Sequence, residues 1–203
     1  TTRAYLTGHP VRVIACPYTR REWSAPSDLL RPILTLASGR WVLRYSGAQC
    51  LQRLESVYTG NTNYVAVALN HTTPPTGTQL LCDSAPDAGI GRRNIATIGS
   101  DLRMARDGGG GSITLSGVLS AGGRAGIVAR YNGASSSLRY NASSQAGTIT
   151  TDSTSSTSPA TMGASFTSST FHFSGDIGAV VVGNGVLTDA DADALYNFCL
   201  KFI

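Results

Sequence analysis

The sequence predicts an all-β jelly-roll sandwich with an irregular N-terminal arm and one short C-terminal helix. Three observations predict it. Glycine, serine and threonine number 23, 23 and 22 of the 203 residues, a bias that disfavours helices and favours short strands with many turns. Short β-branched and aromatic runs return at intervals of about 8 to 12 residues, each closed by glycine or asparagine, which is the beat of a sandwich. Only the segment from Thr188 onward carries helix signals. A chain of this length buries roughly 70% of its unfolded surface, so its core needs no disulfide or metal support.

Residues 1–37 read as the arm. Its apolar runs at 11–15 and 29–36 are interrupted by Pro10, Pro17, Pro26 and Pro32, which break helices and central strands alike, so about two strands are expected there. From 38 to 203 the jelly roll proper is expected. Its first strands are 41–45 (WVLRY), ended by Ser46-Gly47, then 64–69 (YVAVAL) and 78–83 (TQLLCD), with His71 and Pro74-Pro75 in the loop between the last two. Further strands follow at 94–98, 102–105, 112–115 and 125–131. Asn132-Gly133 is a hairpin signal, and 137–141 (SLRYN) is the returning strand. The polar run 148–158 reads as a long loop or a solvated edge hairpin.

The end of the chain is the most legible. Phe171-His172-Phe173 alternates, 177–182 is a buried strand, Asn184-Gly185 turns, and 188–198 is a capped helix. Thr188 is its N-cap, and Asp189, Asp191 and Asp193 complement the positive end of its dipole. Leu195, Phe198 and Cys199 are expected to share the face that closes over the core.

Charge and cysteines exclude several functions. The formal charge is +4, but the 15 arginines are scattered, with only Arg20-Arg21 and Arg92-Arg93 adjacent, whereas nucleic-acid binders concentrate their charge. No nucleic-acid partner is expected. No run approaches the ~18 apolar residues of a membrane helix, so no membrane partner is expected either. Cys16, Cys50, Cys82 and Cys199 show no metal-binding spacing and read as reduced core thiols. No basic segment followed by an apolar one opens the chain, and Thr1-Thr2 is what removal of an initiator methionine leaves, so synthesis in a cytoplasm is expected.

The segment FSGDIGAVVVGNGVLTDADADALYNF, residues 173–198, resembles the closing strand, turn and helix of laminin-G-like, concanavalin A-like jelly-roll domains. SGRWVLRYSGAQCLQ (38–52) resembles their aromatic-x-Gly element, TNYVAVAL (62–69) the strand after it, and ATMGASF (160–166) the strand before the Gly-Asp step. The resemblance covers about residues 38 to 198. It implies a concanavalin A-like jelly roll of the kind that serves as sugar-binding module, adhesion domain, glycosidase or virion surface protein. Together with the chain's length, the expected methionine removal, the missing signal and arginine in place of lysine, it looks like a tailed-bacteriophage virion protein. The implied role is a non-catalytic virion surface protein, tail-associated or capsid-decorating, synthesised in the host cytoplasm, homo-oligomeric, and bound to neighbouring virion proteins or to host glycan.

Tested against that implication, the residues speak against catalysis. Glycoside hydrolysis needs two carboxylates about 5 to 10 Å apart, and the two glutamates, Glu22 and Glu55, form no alternating acidic strand. No Gly-x-Ser-x-Gly elbow is present for the three histidines to serve, and the glycine run at 108–111 leads into no helix that would cradle phosphate. Calcium is the metal such folds hold, yet no oxygen-ligand spacing singles out Asp101, Asp107 or Asp152, so no cofactor is expected. Sugar binding needs an aromatic platform beside polar hydrogen-bonding groups. Tyr131 and Asn132 on one side of the hairpin, Arg139 and Tyr140 on the other, supply that mixture, and His172 is the candidate on the concave face.

Overall fold

The computed structural model describes residues 7–15, 21–53, 61–71, 75–84, 92–106, 109–119, 123–151, 160–165 and 170–203. In chain order the strands are β1 (Val13–Ala15), β2 (Glu22–Ser24), β3 (Ile33–Ala37), β4 (Arg40–Ser46), β5 (Leu51–Arg53), β6 (Asn63–Asn70), β7 (Thr78–Ser84), β8 (Arg93–Ile98), β9 (Asp101–Arg106), β10 (Ser112–Leu115), β11 (Arg124–Tyr131), β12 (Ser136–Tyr140), β13 (Ser143–Gly147), β14 (Ala160–Met162) and β15 (Ser174–Asn184). Helix α1 (Asp189–Cys199) follows.

The strands form two antiparallel sheets of a jelly roll. One has eight strands in the order β1-β2-β5-β14-β7-β8-β9-β10, and the other seven in the order β13-β12-β11-β6-β15-β4-β3. The main core lies between them, filled by Val65, Val67, Leu69, Ile95, Met104, Ile127, Leu138 and Phe173 among others. Strand β6 shows why its run is continuously apolar: Val65, Val67 and Leu69 point into this core, while Ala66 and Ala68 point outward beneath α1. A strand covered on both faces has no polar side to show.

Among the described residues the expected arm contributes three strands where about two were expected. β1 and β2 extend the eight-stranded sheet, and β3 pairs along β4 with Leu34 opposite Leu43 and Leu36 opposite Trp41. Strands β5, β13 and β14 were not expected from periodicity, because three to five residues of mixed polarity carry no repeat long enough to read. Of the polar run 148–158, positions 152–158, Asp152 among them, lie outside the described residues, as do Cys16, Glu55 and Asp107.

Helix α1 is capped as the sequence predicts: the Thr188 hydroxyl oxygen accepts the Asp191 N–H at 3.2 Å. Its buried face differs from expectation. Ala192 and Cys199 are buried, with Leu195 and Tyr196 partly so, whereas Phe198 is 42% exposed and lies against Phe202, ring centroids 4.8 Å apart. The helix does not close the core between the sheets. It lies on the outer face of the seven-stranded sheet and makes a second, smaller core with Ala66, Ala68, Val128 and Ile203. Glycines allow the approach: a Cβ on Gly126 would stand 2.7 Å from the Tyr196 ring, and one on Gly178 would stand 2.1 Å from the carbonyl oxygen of Phe202. Cys50, Cys82 and Cys199 are buried.

Candidate functional site

The outer face of β11, β12 and β13 forms the floor of an open trough, and the first turns of α1 form its wall. Its volume is about 330 Å³, at the low end for a small-molecule site. Strand alternation decides which side chains reach it. Ile127, Ala129 and Tyr131 of β11 and Leu138 and Tyr140 of β12 point into the core, so Val128, Arg130, Ser137 and Arg139 point out. Ser144 and Ala146 continue that face onto β13, since they pair with Arg139 and Ser137.

Two arginines and two aspartates organise the trough. Arg130 Nε donates to the Ser137 hydroxyl at 2.6 Å, while Nη1 donates to the Leu187 carbonyl at 3.3 Å and to the Asp189 carboxylate. Arg139 Nε donates to the Asn141 carbonyl at 3.0 Å, Nη1 donates to the Asp193 carboxylate, and its guanidinium lies 4.0 Å above the centre of the Tyr196 ring, a cation–π arrangement. Asp189 and Asp193 are four residues apart on one helix face, and the arginines are diagonal neighbours across the β11–β12 pair, so the spacings match. Formal charges in the trough balance. Among the described residues, Nη2 of Arg130 and of Arg139 makes no side-chain hydrogen bond, which leaves donors beside carboxylate acceptors and the Ser137 and Ser144 side chains.

The five residues singled out from the sequence do not assemble as expected. Arg139 lines the trough. Tyr131 and Tyr140 are corrected to core residues, 2% and 5% exposed, because the pairing of β11 with β12 turns them toward the eight-stranded sheet, where the Tyr131 hydroxyl donates to the Asn94 carbonyl at 2.8 Å. Burial raises the Tyr140 pKa. They offer no platform to a ligand. Asn132 serves the hairpin turn, its N–H donating to the Ser136 hydroxyl at 2.9 Å; the turn is a 3₁₀ step over Gly133–Ser135, not a two-residue loop. His172 is partly buried beside Phe171, whose carbonyl accepts the Leu80 N–H at 2.8 Å on the other sheet, away from the trough.

Sequence reasoning missed Arg130, Ser137, Asp189 and Asp193. The available signal was parity: Arg130 shares a face with Val128, and Ala129 and Ile127 share the other with Tyr131. Among the described residues no three His, Cys, Asp or Glu side chains converge on a metal site, Asp101 being engaged with the Gly117 N–H at 2.8 Å. Among the described residues no helix is long and apolar enough to cross a membrane.

No protein-family model and no curated protein matches the chain. Solved structures do. Domain 4 of AbnA, an extracellular arabinanase of family GH43 from Geobacillus stearothermophilus, solved with arabinotriose, superposes with a TM-score of 0.64 at 11% identity over 81% of each chain. The CBM40 domain of the Ruminococcus gnavus IT-sialidase, bound to α2,3-sialyllactose, gives 0.57 at 10% identity over 76% of this chain and 95% of that one. Mouse laminin α1 domains LG4-5 give 0.53 at 12% identity over 70% of this chain and 41% of that one. At such identities the likeness shows the fold, a laminin-G-like, concanavalin A-like jelly roll, and function has to be argued from the site.

Proposed function

We propose that this chain is a non-catalytic glycan-binding module of a virion surface, tail-associated or capsid-decorating, with its sugar site in the trough between β11–β13 and α1. The trough carries the reading. A sugar presents a ring of hydroxyls, and here guanidinium donors, carboxylate acceptors and hydroxyls converge on one concave surface of suitable size. The structural neighbours named for arabinotriose and sialyllactose support a carbohydrate ligand. The virion setting rests on the resemblance of residues 38–198 to phage jelly rolls, and neighbouring virion proteins are its expected partners. Against catalysis, Asp189 and Asp193 are each committed to an arginine.

The test is a broad glycan array followed by calorimetry, with arabinotriose and α2,3-sialyllactose among the probes. Two variants accompany it: Arg139→Gln removes a donor, and Ala146→Phe fills the trough while leaving both ion pairs in place. Each should weaken binding by at least about tenfold, or 1.4 kcal/mol. Saturable binding that neither variant changes would move the site elsewhere. Turnover of a polysaccharide, lost in Asp193→Asn, would replace the module with a polysaccharide-processing enzyme.

A further inference from the structure

The trough is walled on one flank only. Opposite α1 it ends at β13, the last strand of the seven-stranded sheet, whose pairing is with β12 alone among the described residues. The far edge of the same sheet is treated differently. There β3 is covered by the chain's own N-terminal segment: Gly8 N–H donates to the Leu34 carbonyl at 2.8 Å, Leu34 N–H to His9 at 2.9 Å, and Val11 N–H to Pro32 at 2.8 Å. Strand β13 has no such hydrogen-bonded cover among the described residues, although β10 of the other sheet packs against it with Ile113 beside Gly147. Ser143, Ser144, Gln145 and Ala146 are exposed, uncharged and free of proline, and their register with β12 runs without a bulge. Edge strands are normally protected by charge, proline, a bulge or a hydrogen-bonded covering segment, and among the described residues this edge shows none of these.

We propose that β13 pairs antiparallel with β13 of a second copy, about a two-fold axis normal to the sheet, and that the pair completes the trough. An antiparallel pair of identical strands satisfies the outward N–H and C=O groups of each with those of its mate, so the edge is its own complement. Charge permits the approach. The ionised groups that share the trough with β13 are Arg130, Arg139, Asp189 and Asp193, two of each sign bound pairwise, so two copies meet neutral to neutral.

An axis normal to the sheet keeps both troughs on the same side. The floor then runs β11-β12-β13 into β13-β12-β11 of the second copy, six strands and about 24 Å across at about 4.8 Å per strand, with an α1 helix as the wall at each end. A site for one or two sugars becomes a groove for an extended oligosaccharide. This last step rests on the glycan-binding reading, whereas the pairing does not.

Sedimentation equilibrium of the full chain tests the pairing. Gln145 is the middle residue of β13 and faces its own copy in a centred register. Gln145→Lys and Gln145→Glu place like charges opposite each other in a homodimer and unlike charges in a mixture. The unsubstituted chain should show a concentration-dependent monomer–dimer equilibrium, each variant alone should stay monomeric, and an equimolar mixture should associate again. Circular dichroism of each variant confirms the fold, which an exposed edge position leaves intact. A chain monomeric at every accessible concentration, or variants that dimerise unchanged, would overturn the proposal. So would new amide protection at 143–147 only when an extended peptide is added, which would make the occupant a foreign strand. An arabinan and a sialyl oligosaccharide length series separates the two readings. Affinity that rises with length in the unsubstituted chain and not in Gln145→Lys supports the shared groove. Dimerisation without sugar binding overturns only the proposed function, and sugar binding by a persistent monomer overturns only the pairing.

Discussion

Arg44 of β4 grips Asp176 of β15 through both arms of its fork, Nε to Oδ1 at 2.7 Å and Nη2 to Oδ2 at 2.9 Å, across a direct strand pair. The carboxylate is buried and the guanidinium is 43% exposed, so water reaches only one partner. The hydrogen bond to Asp176 raises the Arg44 pKa against the opposing effect of burial. Arg44→Met should therefore destabilise the fold by about 2 kcal/mol, less than for a fully buried pair because solvent screens the exposed half. Urea unfolding measures this, and adding Asp176→Asn to the Arg44→Met chain should return part of the loss. A double variant no more stable than the single one would show that Asp176 is satisfied without Arg44.

His71 provides the pH dependence. Its ring is fully buried, stands edge-on to Phe173 at 5.6 Å, and has no hydrogen-bond partner on either nitrogen among the described residues. Burial pushes its pKa down to about 4 from the ordinary 6.5. The unfolded chain thus binds a proton that the folded chain refuses, so the stability His71 contributes is intact above about pH 6.5 and is lost as pH falls toward 4. The loss approaches 1.4 kcal/mol per pH unit, about 3 kcal/mol in all. Urea midpoints between pH 7 and 4.5 should fall more steeply for the unsubstituted chain than for His71→Leu. Equal slopes would assign the acid sensitivity to other groups.

Gly178 controls the docking of the C-terminal segment. A Cβ there meets the Phe202 carbonyl at 2.1 Å, a backbone atom that cannot swing aside. Gly178→Ala is expected to cost about 3 kcal/mol and to loosen α1. Cys199 reports on this: it is fully buried, and burial pushes its thiol pKa up to about 11, so it resists thiol reagents in the docked state. In a Cys16→Ser background, Gly178→Ala should make one thiol reactive without denaturant, and mass spectrometry should place the label on Cys199. Unchanged reactivity would mean that the segment accommodates the methyl group.

Tyr131 distinguishes a core role from a ligand role. Tyr131→Phe removes the bond from its hydroxyl to the Asn94 carbonyl and should cost about 1 kcal/mol in urea unfolding. Sugar affinity should not change. A loss of binding at unchanged stability would restore Tyr131 to the site.

Much of the fold was legible because its signals are local. The runs at 64–69 and 125–131, the turn at Asn184-Gly185 and the Thr188 cap each state their conformation within a few residues. Strands β5 and β13 were not legible, and β14 was read only through the resemblance of 160–166, since each is too short for a period and is held by neighbours distant in sequence, as Thr161 is held between Gln52 and Asp83. The site was read only in part. Arg139 was found, but its partners Asp193 and Tyr196 lie more than fifty residues away and meet it only when α1 folds back over the sheet.

By itself, then, the sequence determined the longer strands, the turn at Asn184-Gly185 and the capped helix, because φ/ψ preference, glycine turns and capping act between near neighbours. What covers each face of a strand was decided by tertiary structure. Alternation divides β11 into Ala125, Ile127, Ala129 and Tyr131 on one face and Arg124, Gly126, Val128 and Arg130 on the other, which marks the core face but not that the second face is also partly covered. The cover comes from what packs on either side: the eight-stranded sheet takes Tyr131 and Tyr140, α1 takes Val128, and Arg130 and Arg139 are left on the rim where the helix carboxylates meet them.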